Sequence, residues 1–488
     1  MSEHKSHHTG CSCGRRSFVA AMGASLGTLA FQPVAAQTAV NHTNPKEPAR
    51  ILGAFLYPPS DTLRKKGQWW SWPGNDFDAE GRQKQYMTEL RKIEKKLNIR
   101  LTITYKPIAD KQSAEQFIKR SQQSKPDGIL LIPFFNGHFN LLDHILNSTS
   151  LKPELIKSDA YIPAIVFCCL GVHHGSIVKY QRQGVHFIQS LDNMEAIEYG
   201  LKMIQTKKFM QHSRIISVAG AEDGKEATVP FWGTTIRKFS LKRFEEEVNN
   251  TKIDDAVKKL ARSYKRNAKQ TMEPADPEIL QAARVHFANK RILESEQGDA
   301  MMMDCLRRGE LMPCMSFMTL RDEGIAAGCE NDLGPTLTLM MVQQLFNRPG
   351  FQHNPCFETE SNNYFASHCT SGSKLFGIDK PQEKYLLRNY GHTNDPTCCP
   401  QVLWRVGEEV TMARCIPGAN AQMLVYSGKV MKSYDMPPVG GCRTNVEISI
   451  DNLEDACNVK GHHNVLFYGN YARRLKQFSR FFGISVIA

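Results

Sequence analysis

The sequence predicts an α/β protein: two Rossmann-like parallel-sheet domains followed by a β-rich C-terminal domain. Three observations carry this. Apolar strand-like runs alternate with amphipathic helical stretches from Ile51 to Phe346, the pattern of parallel sheets covered by helices on both faces. From about Pro355 the texture changes to short strand-like pieces separated by Gly and Pro, as in an antiparallel β domain. The 488 residues also suffice for about three domains at roughly 150 residues each. With 41% hydrophobic and 23% charged residues, and 25 Phe, 14 Tyr and 5 Trp, the composition excludes a disordered chain. The length excludes a disulfide- or metal-stapled miniprotein.

Residues 1–36 read as a targeting segment. Gly14-Arg15-Arg16-Ser17-Phe18-Val19 leads into a moderately apolar stretch ending near Phe31, and Pro33-Val34-Ala35-Ala36-Gln37 places small residues where a signal peptidase cuts. The paired arginines, the nearby Phe and the weakly hydrophobic core resemble a twin-arginine export signal. That resemblance implies an exported, periplasmic protein that crosses the membrane folded, a route suited to a metal enzyme loaded beforehand. Residues 37–50 form a polar linker. Beyond it no apolar run approaches the ~20 residues of a spanning helix, so no stable membrane insertion is expected after cleavage.

The first domain spans 51–183. Ile51 to Tyr57, ending in Pro58-Pro59, reads as a buried strand, followed by a loop with Trp69, Trp70 and Trp72. A charged helix from about Gly81 to Leu97, a strand near Leu101 to Tyr105 and a helix around Ala114 to Gln122 come next. Strands at Gly128 to Pro133 and Ile162 to Leu170 flank a helix near Leu141 to Leu146. Such sheets bind ligands beyond the carboxyl ends of their strands. The rim candidates are therefore Phe134, Phe135, Asn136 and His138, together with His173-His174-Gly175 and the Trp loop. Among these, Trp70, His173 and His174 are the expected substrate-binding residues.

The second domain, 184–354, starts with a helix from Met194 to Ile204 and a strand from Ile215 to Gly220, then a charged helical region to about Ala288. The run Gly298 to Met303 reads as a strand with Asp304 at its carboxyl end, a further strand-like run follows at Met312 to Phe317, and Leu337 to Phe346 is helical. The third domain, 355–488, contains strand-like pieces such as Glu409 to Arg414 and Gln422 to Tyr426.

The net charge is +12, but Lys and Arg are dispersed and Arg64-Lys65-Lys66 is typical of their short runs. No nucleic-acid interface is expected; a basic balance is compatible with a solvated surface, with anionic sugars or with a polyanionic cell surface. Of the 14 cysteines, Cys11 and Cys13 lie in the leader and the others are scattered without a CxxC pair. They read as small core residues rather than a disulfide framework or zinc ribbon.

Four places could carry chemistry: Asp304, Glu330 with Asp332, His368, and His462-His463. Carboxylate and imidazole ligands from scattered positions suit a divalent metal held where domains meet. Glu330 and Asp332 also stand just before a predicted helix, where acidic residues cap free amides.

Pro313-Cys314-Met315-Ser316-Phe317, the stretch Asp322 to Leu333 containing Gly328-Cys329-Glu330-Asn331-Asp332, Ser367-His368-Cys369, Glu409 to Arg414, Gly461-His462-His463-Asn464, Leu475 and Gly483-Ile484 resemble, in order, motifs of the L-fucose and L-arabinose isomerase family. The resemblance is strongest over Gly298 to Ala488. It implies two α/β domains and a β-rich C-terminal domain, and a metal-dependent aldose–ketose isomerase of carbohydrate metabolism working through an enediol. It implies a divalent metal, usually manganese, and a homo-oligomer whose sites borrow residues from neighbours. By position, Glu330 resembles the second metal-binding carboxylate, His463 the late histidine ligand and His368 a middle histidine ligand of the arabinose branch. Asp304 is nearest to the first carboxylate, where the family usually has Glu, and Asp332 competes with Glu330. The implied catalytic pair is Asp304 and Glu330, and the implied metal ligands are Asp304, Glu330, His368 and His463, with no organic cofactor. The shorter Asp304 withdraws an oxygen by about one C–C bond, and ~1 Å of misplacement can cost ~100-fold in rate. Asp304 and the leader also suit an alternative: a non-catalytic exported sugar-binding protein or sensor on the same fold.

Overall fold

The computed structural model describes residues 47–156, 161–306, 308–391, 396–435, 437 and 440–487; the expected export signal and most of the linker lie outside them. The first sheet contains β1 (Arg50–Leu56), β2 (Arg100–Ile103), β3 (Gly128–Pro133), β4 (Ala164–Cys169) and β5 (Val185–Ser190). All pairings are parallel, in the order β2-β1-β3-β4-β5. Every residue of β3 is buried, as is β1 beyond Arg50, which explains their unbroken apolar runs: helices cover both faces. The helix Ala79–Leu97 begins where the Asp78 carboxylate accepts from the Gly81 amide, and Lys111–Ser124 begins at a reciprocal Asp110–Ser113 capping box. Strand order reverses between β1 and β3, which opens a crevice at their carboxyl ends.

The chain continues with β6 (Arg214–Val218), β7 (Glu226–Thr228), β8 (Thr235–Phe239), the short β9 (Gln270–Thr271), β10 (Ala300–Met303) and β11 (Ala326–Gly328). All but β9 form a second sheet in the order β11-β10-β6-β8-β7, parallel except for the β7 edge. The β7–β8 pair falls within the stretch read as charged and helical. Its strands are exposed or half-buried except at Phe239, so no apolar run betrays them. The remaining stretch forms three helices, Leu241–Asn250, Asp255–Asn267 and Asp276–Ser295. The strand-like run at Met312 to Phe317 is instead the start of a helix, Cys314–Asp322. Eight of its residues are buried, so no polar stripe marks the helical period.

The C-terminal region adds β12 (Phe351–Glu358), β13 (Asn363–His368), β14 (Tyr385–Arg388), β15 (Cys399–Val402), β16 (Glu409–Ile416), β17 (Gln422–Tyr434), β18 (Thr444–Ile450), β19 (Asn464–Tyr468) and β20 (Ser485–Val486). Strands β16, β19, β12, β13, β18 and β17 pair antiparallel in that order, and β17 pairs back onto β16, closing an antiparallel barrel. Closure removes the free edges that an open sheet exposes. Strands β9, β14 and β15 form a small separate sheet. The helix Leu333–Phe346 is tied to the barrel through Thr338 Oγ1, which accepts from the Cys415 amide at 2.8 Å. Its last residue, Phe346, stacks on Tyr471 with ring centroids 4.3 Å apart. Among the described residues, no helix is long and apolar enough to cross a membrane.

Burial holds the imidazoles of His138, His186 and His286 down to about 4, from an ordinary 6.5. Between those values the unfolded chain binds protons that the folded chain refuses, so these groups' contribution is complete above about pH 6.5 and is lost as pH falls toward 4. Urea midpoints measured at pH 7, 6 and 5 should therefore decline steadily; a midpoint unchanged from pH 7 to pH 5 would refute this.

Candidate metal centre

Strand β11 ends at Gly328, where a Cβ would lie 1.9 Å from Thr336 Oγ1; only Gly allows the following helix to pack this close. The next residue is clamped. Gln352, buried in β12, accepts from the Cys329 amide at 2.9 Å and donates to the Cys329 carbonyl at 3.0 Å. The backbone then adopts left-handed conformations at Glu330 (φ 55°) and Asn331 (φ 51°). For residues other than Gly each such conformation costs about 1–3 kcal/mol and marks sites where the surroundings hold it. His463, before β19, is also left-handed (φ 57°). His368 is the last residue of β13.

These turns bring three side chains together. Glu330 Oε1 lies 3.2 Å from His368 Nε2, and Glu330 Oε2 lies 3.4 Å from His463 Nε2. One ligand atom from each of Glu330, His368 and His463 lies within 4.8 Å of the others, and both imidazoles are buried. His463 Nε2 is buried without a hydrogen bond. One carboxylate and two imidazoles in this arrangement could hold a divalent cation.

Asp332 takes a different role. Its carboxylate accepts from His463 Nδ1 at 3.0 Å and pairs with Arg414 at 3.2 Å, and it caps the helix Leu333–Phe346 by accepting from the Gly334 amide at 3.1 Å. A carboxylate on the far nitrogen of an imidazole fixes ring orientation and tautomer and raises the basicity of the other nitrogen. Capping and site-building, alternatives in the sequence, coincide in this residue. Arg414 also donates to the carbonyls of His462 and His463, which steadies the left-handed turn.

The electrostatics follow from these contacts. The His368 hydrogen bond and the His463 imidazole 3.4 Å away hold the Glu330 carboxyl far below its ordinary range, against the opposing effect of burial. Burial alone would lower both imidazoles. Cys329 and Glu330 outweigh it at His368, pushing that group up to about 10, and Asp332 and Glu330 outweigh it at His463, which is also raised.

Asp304 follows β10, as the sequence placed it, and its amide donates to the Val218 carbonyl at 2.9 Å. Its carboxylate, however, is about half exposed at 46% and sits 3.3 Å from Arg308, outside the group of converging ligand atoms. The first-sheet candidates lie at the carboxyl rim of that sheet. Trp70 is buried against Tyr57, Phe77 and Phe135, His173 stacks on Phe139 at 4.1 Å, and exposed His174 meets exposed Trp72 edge-on at 5.8 Å. The sequence reading missed Gln352 and Arg321. Arg321, fully buried, donates to the carbonyls of Ala327 and Thr370 at 2.7–2.9 Å; Arg321 and Gln352 each stand in a polar run, Arg321-Asp322-Glu323 and Gln352-His353-Asn354, that reads as solvated surface. Comparison with protein-family models and with curated proteins gives no match.

Asp332→Asn should keep the helix cap, since Asn also accepts there, while removing the charge from His463. Divalent-metal affinity, measured by calorimetric titration with manganese and zinc, should fall about 10–100-fold with an unchanged circular dichroism spectrum. Unaltered affinity would show that Asp332 only caps.

Proposed function

We propose that the protein is an exported, periplasmic, manganese-dependent aldose–ketose isomerase of the L-fucose/L-arabinose isomerase type. What carries the reading is the convergence of Glu330, His368 and His463 on one buried point, from the positions that the resemblance assigns to metal ligands. The orphaned His463 Nε2 fits a cation; two imidazoles and one carboxylate accept several first-row divalent metals, and the choice of manganese rests on the resemblance. A divalent cation held there supplies Lewis acidity, polarising the sugar's carbonyl and neighbouring hydroxyl and acidifying the C–H between them. Glu330, kept ionised by its two imidazoles, is the constant negative ligand. Asp332 and Arg414 hold His463 in place. Asp304, at the carboxyl end of β10, outside the cluster and paired with Arg308, is the carboxylate that carries the proton between adjacent carbons in enediol chemistry.

In the same reading, the two parallel sheets are paired Rossmann-like domains; β5 pairs with β4 in the first sheet, so the boundary expected at residue 183 moves beyond Ser190, and the second stays near residue 354. The first-sheet rim, with Trp72, His173 and His174 standing out and Trp70 behind them, faces sugar in a homo-oligomer. No nucleic-acid partner is involved. A second reading, a sugar-binding protein or sensor without catalysis, is favoured by one observation: Arg308, not the cluster, engages Asp304.

Manganese-loaded protein incubated with a panel of aldoses should form a ketose, and Asp304→Ala should slow it about 100-fold or more with metal content unchanged. Sugar binding without turnover of any aldose would select the second reading.

A further inference from the structure

The C-terminal helix Ala472–Phe482 has two unlike faces. Leu475, Phe478, Phe481 and Phe482 are buried, whereas Arg473, Arg474, Lys476 and Arg480 are exposed. Opposite that cationic face lie β5 and the start of the helix Met194–His212, and together they wall a cavity of about 920 Å³. All four cations line it, and no Asp or Glu does. Several arginines elsewhere, Arg237, Arg243, Arg388, Arg405 and Arg414, each pair with a carboxylate. Among the described residues, none of the four cavity cations forms an ion pair. Lys476 and Arg480 stand one turn apart, a spacing at which like charges repel, so an anion in the cavity relieves a strain that the fold builds in.

Two features mark a formed site rather than a solvated face. The Arg474 guanidinium lies 5.0 Å above the Tyr199 ring, and the Tyr199 hydroxyl donates to the Arg474 carbonyl at 2.6 Å, which fixes both ends of that residue. His186, 6% exposed, lines the cavity, and its ring hydrogen-bonds to none of the described residues while packing edge-on against Tyr199. Its imidazole is neutral at pH 7, held there by burial and the Arg480 charge, and offers one donor and one acceptor. Gln477 and Asn470 add amides of the kind that meet hydroxyls.

We propose that this cavity binds a small, multiply anionic, hydroxyl-bearing molecule, a sugar bisphosphate being the chemical type it fits. The volume lies in the range of small-molecule sites. Guanidinium forks match phosphate oxygens in bidentate fashion, and cations on one wall with amides beside them divide the work between charged and hydroxyl groups. None of Glu330, His368 or His463 lines the cavity, so its occupancy is separable from the metal centre.

The test is calorimetric titration of the purified protein at low salt with fructose 1,6-bisphosphate, beside fructose, inorganic phosphate and a sulfated polysaccharide. The bisphosphate should bind, inorganic phosphate more weakly and fructose not at all. Arg474→Gln with Arg480→Gln should weaken bisphosphate binding at least about tenfold while metal content and melting temperature hold. Lys476→Gln, at an exposed position, is the second variant should the double one misfold, and should weaken binding in the same direction. Absence of bisphosphate binding, or equal affinity in folded variants, would overturn the proposal. So would tight binding of the polysaccharide with the bisphosphate inert, which would make the helix a polyanion surface.

Discussion

The Asp332 carboxylate is where the second parallel sheet, the helix Leu333–Phe346 and the barrel are joined. It caps the helix that follows β11, pairs with Arg414 from β16 and holds the His463 ring that precedes β19. Taking a carboxylate largely out of water is costly unless its oxygens are satisfied by charge-assisted hydrogen bonds. Here the satisfying groups come from separate strands, so the cost is offset only when sheet and barrel are docked. The converging ligands are thus a consequence of domain docking: Glu330 rides on the sheet side, His368 and His463 on the barrel.

The floor beneath this site is built by two neighbours in one helix. Arg321 donates to the carbonyls of Ala327, in β11, and Thr370, just after His368. Asp322, also buried, accepts from the amides of Ser373 and Lys374 at 2.8 and 2.9 Å. One buried helix therefore grips both the strand leading to Glu330 and the loop leaving His368. Gln352 completes the grip by pinning the Cys329 backbone. With neighbours so closely packed, the left-handed turn at Glu330 and Asn331 persists despite its strain.

Much of the first sheet was legible because its strands are buried on both faces and its helices are amphipathic; Gly128 to Pro133 coincides with β3. The run at Met312 to Phe317 was not, because a helix buried all round carries no period. The β7–β8 pair was hidden for the opposite reason, being too polar and exposed. At the site, residue types were visible but roles were not. Glu330 and Asp332 are equivalent on paper, and only the turn geometry aims one at the histidines and turns the other into their support. Asp304 was placed correctly along the chain, yet its side chain meets Arg308, a partner four residues away. Most of the described cysteines are buried and all are free thiols, in keeping with a core role.

The central claim is that Glu330, His368 and His463 hold one divalent cation. Its most direct test is elemental analysis of the purified protein after manganese loading and exhaustive dialysis, beside Glu330→Gln and His463→Ala variants whose folding is verified by circular dichroism. The account predicts about one bound cation per chain in the parent protein, lost in both variants. A parent that retains no metal, or variants that retain it in full, would contradict the account.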